Sequence, residues 1–148
     1  MSKISIFFYR IAYILEKYHI PLLPKLINFI FVRIIMGCYI GLGAKLGKNV
    51  ILGYGGLGCV IHRRAVIGNN VTIGTGVTIG GTSNCYNVPK IGDNSKISSG
   101  AKIIGPITIG SNCFIGVNSV VTKSIPDGCL VYGVPARIVK NNIDISKY

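Results

Sequence analysis

Val66-Ile-Gly-Asn-Asn-Val-Thr-Ile-Gly-Thr-Gly-Val-Thr-Ile-Gly80 places isoleucine at 67, 73 and 79, each followed by glycine. The spacing of six continues outward in both directions. Toward the N-terminus lies Ile61, then a nine-residue step back to Leu52, Leu46 and Ile40. Toward the C-terminus a twelve-residue step leads to Ile91, Ile97, Ile103, Ile109, Ile115 and Val121. All thirteen positions are Ile, Leu or Val, and glycine follows nine of them. Four residues after many of them comes a small or β-branched residue: Ala44, Val50, Ala65, Val71, Val77, Ala101 or Ser119. A period of six fits neither an α-helix nor an alternating strand. It fits a triangular coil in which each short strand turns one large aliphatic side chain inward and then rounds a corner. Stacked coils pair their backbones along the axis and extend one aliphatic core. The expected fold is therefore mainly β, a parallel β-helix of hexapeptide repeats over 40–139, with a helical segment at 1–39 and a short tail at 140–148.

Composition agrees. The chain has 148 residues, 49% of them hydrophobic and 14% charged, which excludes a disordered chain and suffices for one core. Cys38, Cys59, Cys85, Cys113 and Cys129 show no CxxC or Cys/His spacing, so they read as small fillers in a reducing compartment. Neither a disulfide framework nor a metal site is expected. Sixteen Lys and Arg against four acids give a formal charge of +12, which favours anionic partners. The cations are scattered and no helix-turn-helix, RNA-binding or zinc-finger pattern occurs, which argues against nucleic acid.

The first forty residues follow another rule. Ile4, Phe7, Phe8, Ile11, Ile14 and Leu15 suit an amphipathic helix over Ile4 to Tyr18. Pro21 and Pro24 break it and suit the first turn of a second helix, roughly Leu22 to Met36. Lys25, Asn28 and Arg33 interrupt that apolar run, well short of the ~20 residues a bilayer requires. No small-x-small cleavage site marks a signal peptide. The segment reads as a cap on its own β-domain or a neighbouring subunit, and as a basic, apolar surface for peripheral contact with anionic lipid; the two readings coexist. The expected location is cytoplasmic, with that contact at the inner face of the membrane.

Leu52-Gly-Tyr-Gly-Gly-Leu-Gly-Cys-Val-Ile-His62, Ala65 to Gly74, Val77-Thr-Ile-Gly-Gly81, Val88-Pro-Lys-Ile-Gly-Asp93, Gly100 to Gly105 and Gly133-Val-Pro-Ala-Arg137 together resemble the serine acetyltransferase family. The likeness looks closest to its short relatives that O-acetylate bacterial surface saccharides. It implies a left-handed coil, a homotrimer with sites between subunits, and acetyl-CoA as donor. Sterics alone favour the opposite hand. The short N-terminal region tilts the acceptor toward a saccharide.

The resemblance also implies site residues. Gly81, Ser99 and Val117 match positions whose backbones meet the pantetheine arm. Thr122, Lys123 and Arg137 match positions near the adenosine and its phosphates, where cationic donors suit anionic oxygens. Residues eighteen apart stack when each coil holds three hexads. Arg63, Gly81, Ser99 and Val117 then form one column, provided the twelve-residue step keeps register. Gly80-Gly81 is the candidate oxyanion corner.

Both customary histidines of the family are absent. Tyr54 stands at the first position. The second falls on Cys85 in the sugar-acetylating pattern, or on Val88 in the serine acetyltransferase pattern. Cys85 and Tyr86 are the expected acceptor contacts. His19 and His62 are the only histidines; His62 adjoins the column and is the provisional base, with Tyr54 orienting the acceptor or donating to the oxyanion. Three readings follow: a saccharide O-acetyltransferase, a serine O-acetyltransferase, and a catalytically silent β-helix subunit that has lost its base. A zinc enzyme of the γ-carbonic anhydrase type is excluded, since three histidines per site are required.

Overall fold

The computed structural model describes residues 3–148; the first two residues of the N-terminal segment lie outside the described residues. Three parallel sheets form the faces of a triangular β-helix. Face 1 stacks Ile40, Ile61, Ile79, Ile103 and Val121 in register. Face 2 stacks Leu46, Ile67, Ile91 and Ile109, extended by a bridge to Ile125. Face 3 stacks Leu52, Ile73, Ile97, Ile115 and Val131, then turns back through an antiparallel strand, Ala136–Lys140. All thirteen repeat positions thus lie on paired strands, and Ile40, Leu52, Ile61, Ile73, Ile79, Ile103, Ile109 and Ile115 are fully buried. The small residues four places on, from Ala44 to Ser119, are buried as well, because they line the corners where the chain bends inward.

Each corner has its own chemistry. At the corner after face 2, Asn49, Asn70, Asn94 and Asn112 adopt positive φ, which asparagine tolerates better than other side-chain-bearing residues. Asn49 Nδ2 donates to Asn70 Oδ1, and Asn70 Nδ2 to Asn94 Oδ1, both at 3.0 Å. The glycine column beside this ladder answers to close packing. A Cβ on Gly92 would stand 2.6 Å from the carbonyl carbon of Gly110.

Two helical pieces close the N-terminal end. The first, α1 (Ile4–Lys17), buries Ser5, Ile6, Tyr9 and Ala12. The second, α2 (Leu23–Ile27), carries Pro24 in its first turn and runs on as a π-helical stretch, Asn28–Ile35. Tyr9 Oη donates to the carbonyls of Ala44 and Gly41 at 2.8 and 3.2 Å, and Asn28 Nδ2 donates to Ile40 O at 2.9 Å. Ser5 Oγ donates to Gly55 O. The helices therefore cap the first coil of their own β-helix. No helix among the described residues is long and apolar enough to cross a membrane.

All five cysteines are unpaired. Burial, with the neighbouring Cys59 second, pushes the Cys38 thiol up to about 12. Burial raises Cys59, Cys113 and Cys129 as well, the behaviour of core fillers.

Candidate active site

The twelve-residue step decides where the site residues lie. Ile79 pairs with Ile103, so the hexad at Ile91 re-enters on face 2 and the six extra residues leave as a loop over 81–89. The step is thus one hexad plus an insertion, not two hexads. Register is lost by one face, and the expected column of Arg63, Gly81, Ser99 and Val117 does not form. Two rows replace it. At the corner after face 1, Arg63, Gly81, Gly105 and Lys123 are aligned. At the corner after face 3, Tyr54, Thr75, Ser99 and Val117 are aligned. Local contacts agree: Thr75 Oγ1 donates to Ser99 Oγ at 3.2 Å, and the Gly105 N–H to Gly80 O at 3.0 Å. The signal for this was present at Cys85, which stands six residues after Ile79 where another hexad would require an aliphatic side chain.

His62 lies opposite Gly80, with its backbone N–H donating to Ile79 O at 2.9 Å. Its corner admits a side chain: even a Cβ on Gly80 would meet nothing closer than Ile104 Cδ1 at 3.4 Å. His62 Nδ1 accepts the backbone N–H of Arg64 at 3.1 Å. That bond fixes the neutral tautomer, because an accepting Nδ1 leaves the proton on Nε2. Partial burial first, then the charges of Arg64 and Arg63, hold the imidazole below its ordinary pKa. His62 is therefore neutral at cellular pH, but its exposed nitrogen is a donor. In the observed rotamer Nδ1, the nitrogen that would take a proton as a base, is engaged by the Arg64 N–H.

Tyr54 lies in the first interruption, a 3₁₀ turn over Gly53–Gly56, with φ at 49° and its ring 80% exposed. It heads the row after face 3, so Tyr54 and His62 occupy different corners of one chain. Cys85 is half-buried in the loop over 81–89. Tyr86, beside it, lies across Arg64, whose Cζ is 4.2 Å from the ring centroid. Val88 closes the loop from inside, with a side chain that reaches the corner at Gly81.

Thr122 and Lys123 are exposed at the C-terminal end of the first row. Arg137 is exposed on the antiparallel strand that ends face 3. The two cations thus sit toward the same end of the axis, as phosphate binding requires, but off different faces. Among the described residues, no three His, Cys, Asp or Glu side chains gather as a metal site.

Known proteins match this chain over its length. Residues 89–123 match the family model of bacterial transferase hexapeptide (six repeats). The serine acetyltransferase of Synechococcus elongatus is 35% identical over 133 residues, 88% of this chain and 54% of the relative. That of Staphylococcus xylosus is 41% identical over 140 residues, 93% of this chain and 64% of the relative. The crystal structure of Neisseria gonorrhoeae serine acetyltransferase superposes with a TM-score of 0.87 at 35% identity, covering 95% of this chain and 55% of that one. The serine acetyltransferase of Brucella abortus in complex with coenzyme A gives 0.88 at 35% identity, covering 94% and 56%. The chain thus spans little more than half the length of most of these relatives.

Proposed function

We propose that this chain, whose β-helix is a hexapeptide-repeat domain of the bacterial transferase type, is an acetyl-CoA-dependent O-acetyltransferase with serine as its acceptor. The observation that carries the reading is similarity along nearly the whole chain to a serine acetyltransferase solved with coenzyme A. The relatives compared above are all named for serine, which favours that acceptor over the saccharide expected from the sequence.

The two corner rows support a site built between copies. One chain presents Gly81 and Lys123 at one edge and Ser99 and Val117 at another. Two copies set edge to edge would line both sides of a donor groove, and three would close the ring. The proposed assembly is therefore a homotrimer. Lys123 and Arg137 take the donor's phosphates, and the backbones at Gly81, Ser99 and Val117 follow its pantetheine arm. The acceptor hydroxyl attacks the thioester carbonyl, and a C–O bond forms as the carbonyl opens to an oxyanion. Collapse breaks the C–S bond; the acetyl ester stays on the acceptor, and the departing CoA thiol carries the acceptor's proton. His62 Nε2–H, together with the Gly80-Gly81 corner, stabilises the oxyanion. Tyr54, from the facing copy, orients the acceptor beside Cys85 and Tyr86.

One observation favours a second reading. Tyr54 holds one customary histidine position and Cys85 or Val88 the other, and His62 Nδ1 is engaged by the Arg64 N–H. A binding subunit without turnover has this composition. The test is calorimetric titration with CoA and acetyl-CoA, followed by thiol release with serine and with saccharides. Saturable binding and release with serine support the enzyme; binding without release on any hydroxyl supports the silent subunit. Absence of CoA binding at millimolar concentration overturns the enzyme reading and leaves the silent subunit.

Localisation is proposed on the same footing. The cap exposes Phe7, Leu22, Leu26, Ile34 and Ile35, and its cations Lys3 and Lys17 are exposed with them. We place the protein in the cytoplasm, with this surface resting on anionic lipid.

A further inference from the structure

The loop over 81–89 does more than displace the register. Together with face 2 it borders an open cavity of about 530 Å³, lined by Lys45, Arg63, Arg64 and Lys90 with Tyr86 and Val66 between them. None of the chain's four acids lines it. Lys45 and Lys90 lie on the coils either side of Val66, about 10 Å apart at two coil spacings. Arg64 is held in place rather than solvated at random. Tyr86 stacks on its guanidinium at 4.2 Å, and its Nε is buried with no acceptor among the described residues. A buried N–H left unmatched is costly, so the site is complete only with an oxygen acceptor in reach. One carboxylate would satisfy one arginine fork and leave the other cations uncompensated. Four cations converging on one cavity suit an anion of higher charge with several oxygens.

We propose that this cavity binds the phosphate-ester or diphosphate group of a small molecule other than the acetyl donor. The inference goes beyond the proposed reaction; the cavity shares Tyr86 with the proposed acceptor contacts, but its test reads binding alone. The donor is an alternative source of the same chemistry, but its phosphates are placed at Lys123. That residue lies three coils beyond Arg63 on the same corner, about 14 Å along the axis.

Inorganic pyrophosphate is the probe, titrated calorimetrically into the intact protein with and without saturating CoA. One saturable site per chain is expected, unchanged by CoA. Arg64→Gln should weaken it at least tenfold, Arg64→Lys less, and the Lys45→Gln/Lys90→Gln pair at least tenfold. The backbone N–H of Arg64 still holds His62 in each variant, and thermal melts confirm that the fold is kept. Absence of saturable binding, affinity undiminished in Arg64→Gln, or displacement of pyrophosphate by CoA would each overturn the proposal. Because the readout is binding and not turnover, failure of the acetyl-transfer reading leaves this test intact.

Discussion

The regular hexads and the two places where their count breaks differ in what they do with large side chains. In the hexads, every repeat aliphatic from Ile40 to Val121 points inward, and those of face 1 are all but completely buried. In the interruptions, Tyr54 is 80% and Tyr86 77% exposed. The hexads are interchangeable in shape, so one coil templates the next and the core grows without specific pairing. The interruptions have no such template. They place aromatic groups, Tyr54 and Tyr86, outside the prism, and Tyr86 meets a cation that the hexads carry, Arg64. Stability and function are therefore separable along the sequence.

The largest expected effect tests that separation. Ile79→Ala or Ile103→Ala removes a fully buried side chain between two stacked coils and should cost about 2–5 kcal/mol. Tyr54→Ala and Tyr86→Ala should stay within about 0.5 kcal/mol. Urea denaturation followed by circular dichroism measures both. Comparable losses in the two classes would break the comparison.

His62 sharpens it from the functional side. As an oxyanion donor, His62→Ala should lower turnover by about 10²-fold while CoA affinity holds. Glutamine keeps an N–H donor but cannot act as a base, so His62→Gln should recover part of the loss. Equal loss in both variants would restore the base assignment. Thiol release under saturating acetyl-CoA separates the outcomes.

The cap is a third case, tied to the hexads by a few polar contacts. Tyr9→Phe leaves the ring in place but removes the donor to Ala44 O and Gly41 O. The expected cost is about 1–2 kcal/mol, read from the same urea transition.

How much of this was legible in the sequence follows from the same contrast. The thirteen aliphatic positions specify faces and core, because a six-residue period has one geometric solution. The helices at the N-terminus were legible from Pro21 and Pro24, although the π-helical turn Asn28–Ile35 was not, since its apolar spacing resembles that of an α-helix. The site was legible in residue type but not in arrangement. Gly81, Ser99 and Val117 sit at corners as expected, yet a count of twelve can mean two hexads or one hexad and a loop. Cys85, where a second hexad would need an aliphatic side chain, is the one sequence signal, and the pairing of Ile79 with Ile103 decides it. Likewise, the contact between the Arg64 N–H and His62 Nδ1 depends on a rotamer, which no residue spacing encodes. The asparagine ladder was visible as letters at 49, 70, 94 and 112, but its meaning needs the positive φ those corners impose.

The smallest expected effect concerns pH. Burial and the charges of Arg64 and Arg63 lower the His62 pKa in the folded chain relative to its ordinary value near 6.5. Above about pH 6.5 the imidazole is neutral folded and unfolded, and its contribution to stability is fully present. As pH falls below that, the unfolded chain takes up the proton first, and the uptake stabilises the unfolded state and not the folded one. Stability should decline slightly below pH 6.5 and level off once pH has passed below the folded pKa. His62 is only partly buried, so the decline is a small fraction of what a fully buried histidine would give. His62→Gln should flatten this part of the profile and leave acid unfolding through the carboxylates unchanged. Proton NMR of the His62 ring provides the direct check: a midpoint below 6.5 agrees with the geometry. A midpoint at or above 6.5 would mean that burial and the Arg64 and Arg63 charges do not act on the ring in solution.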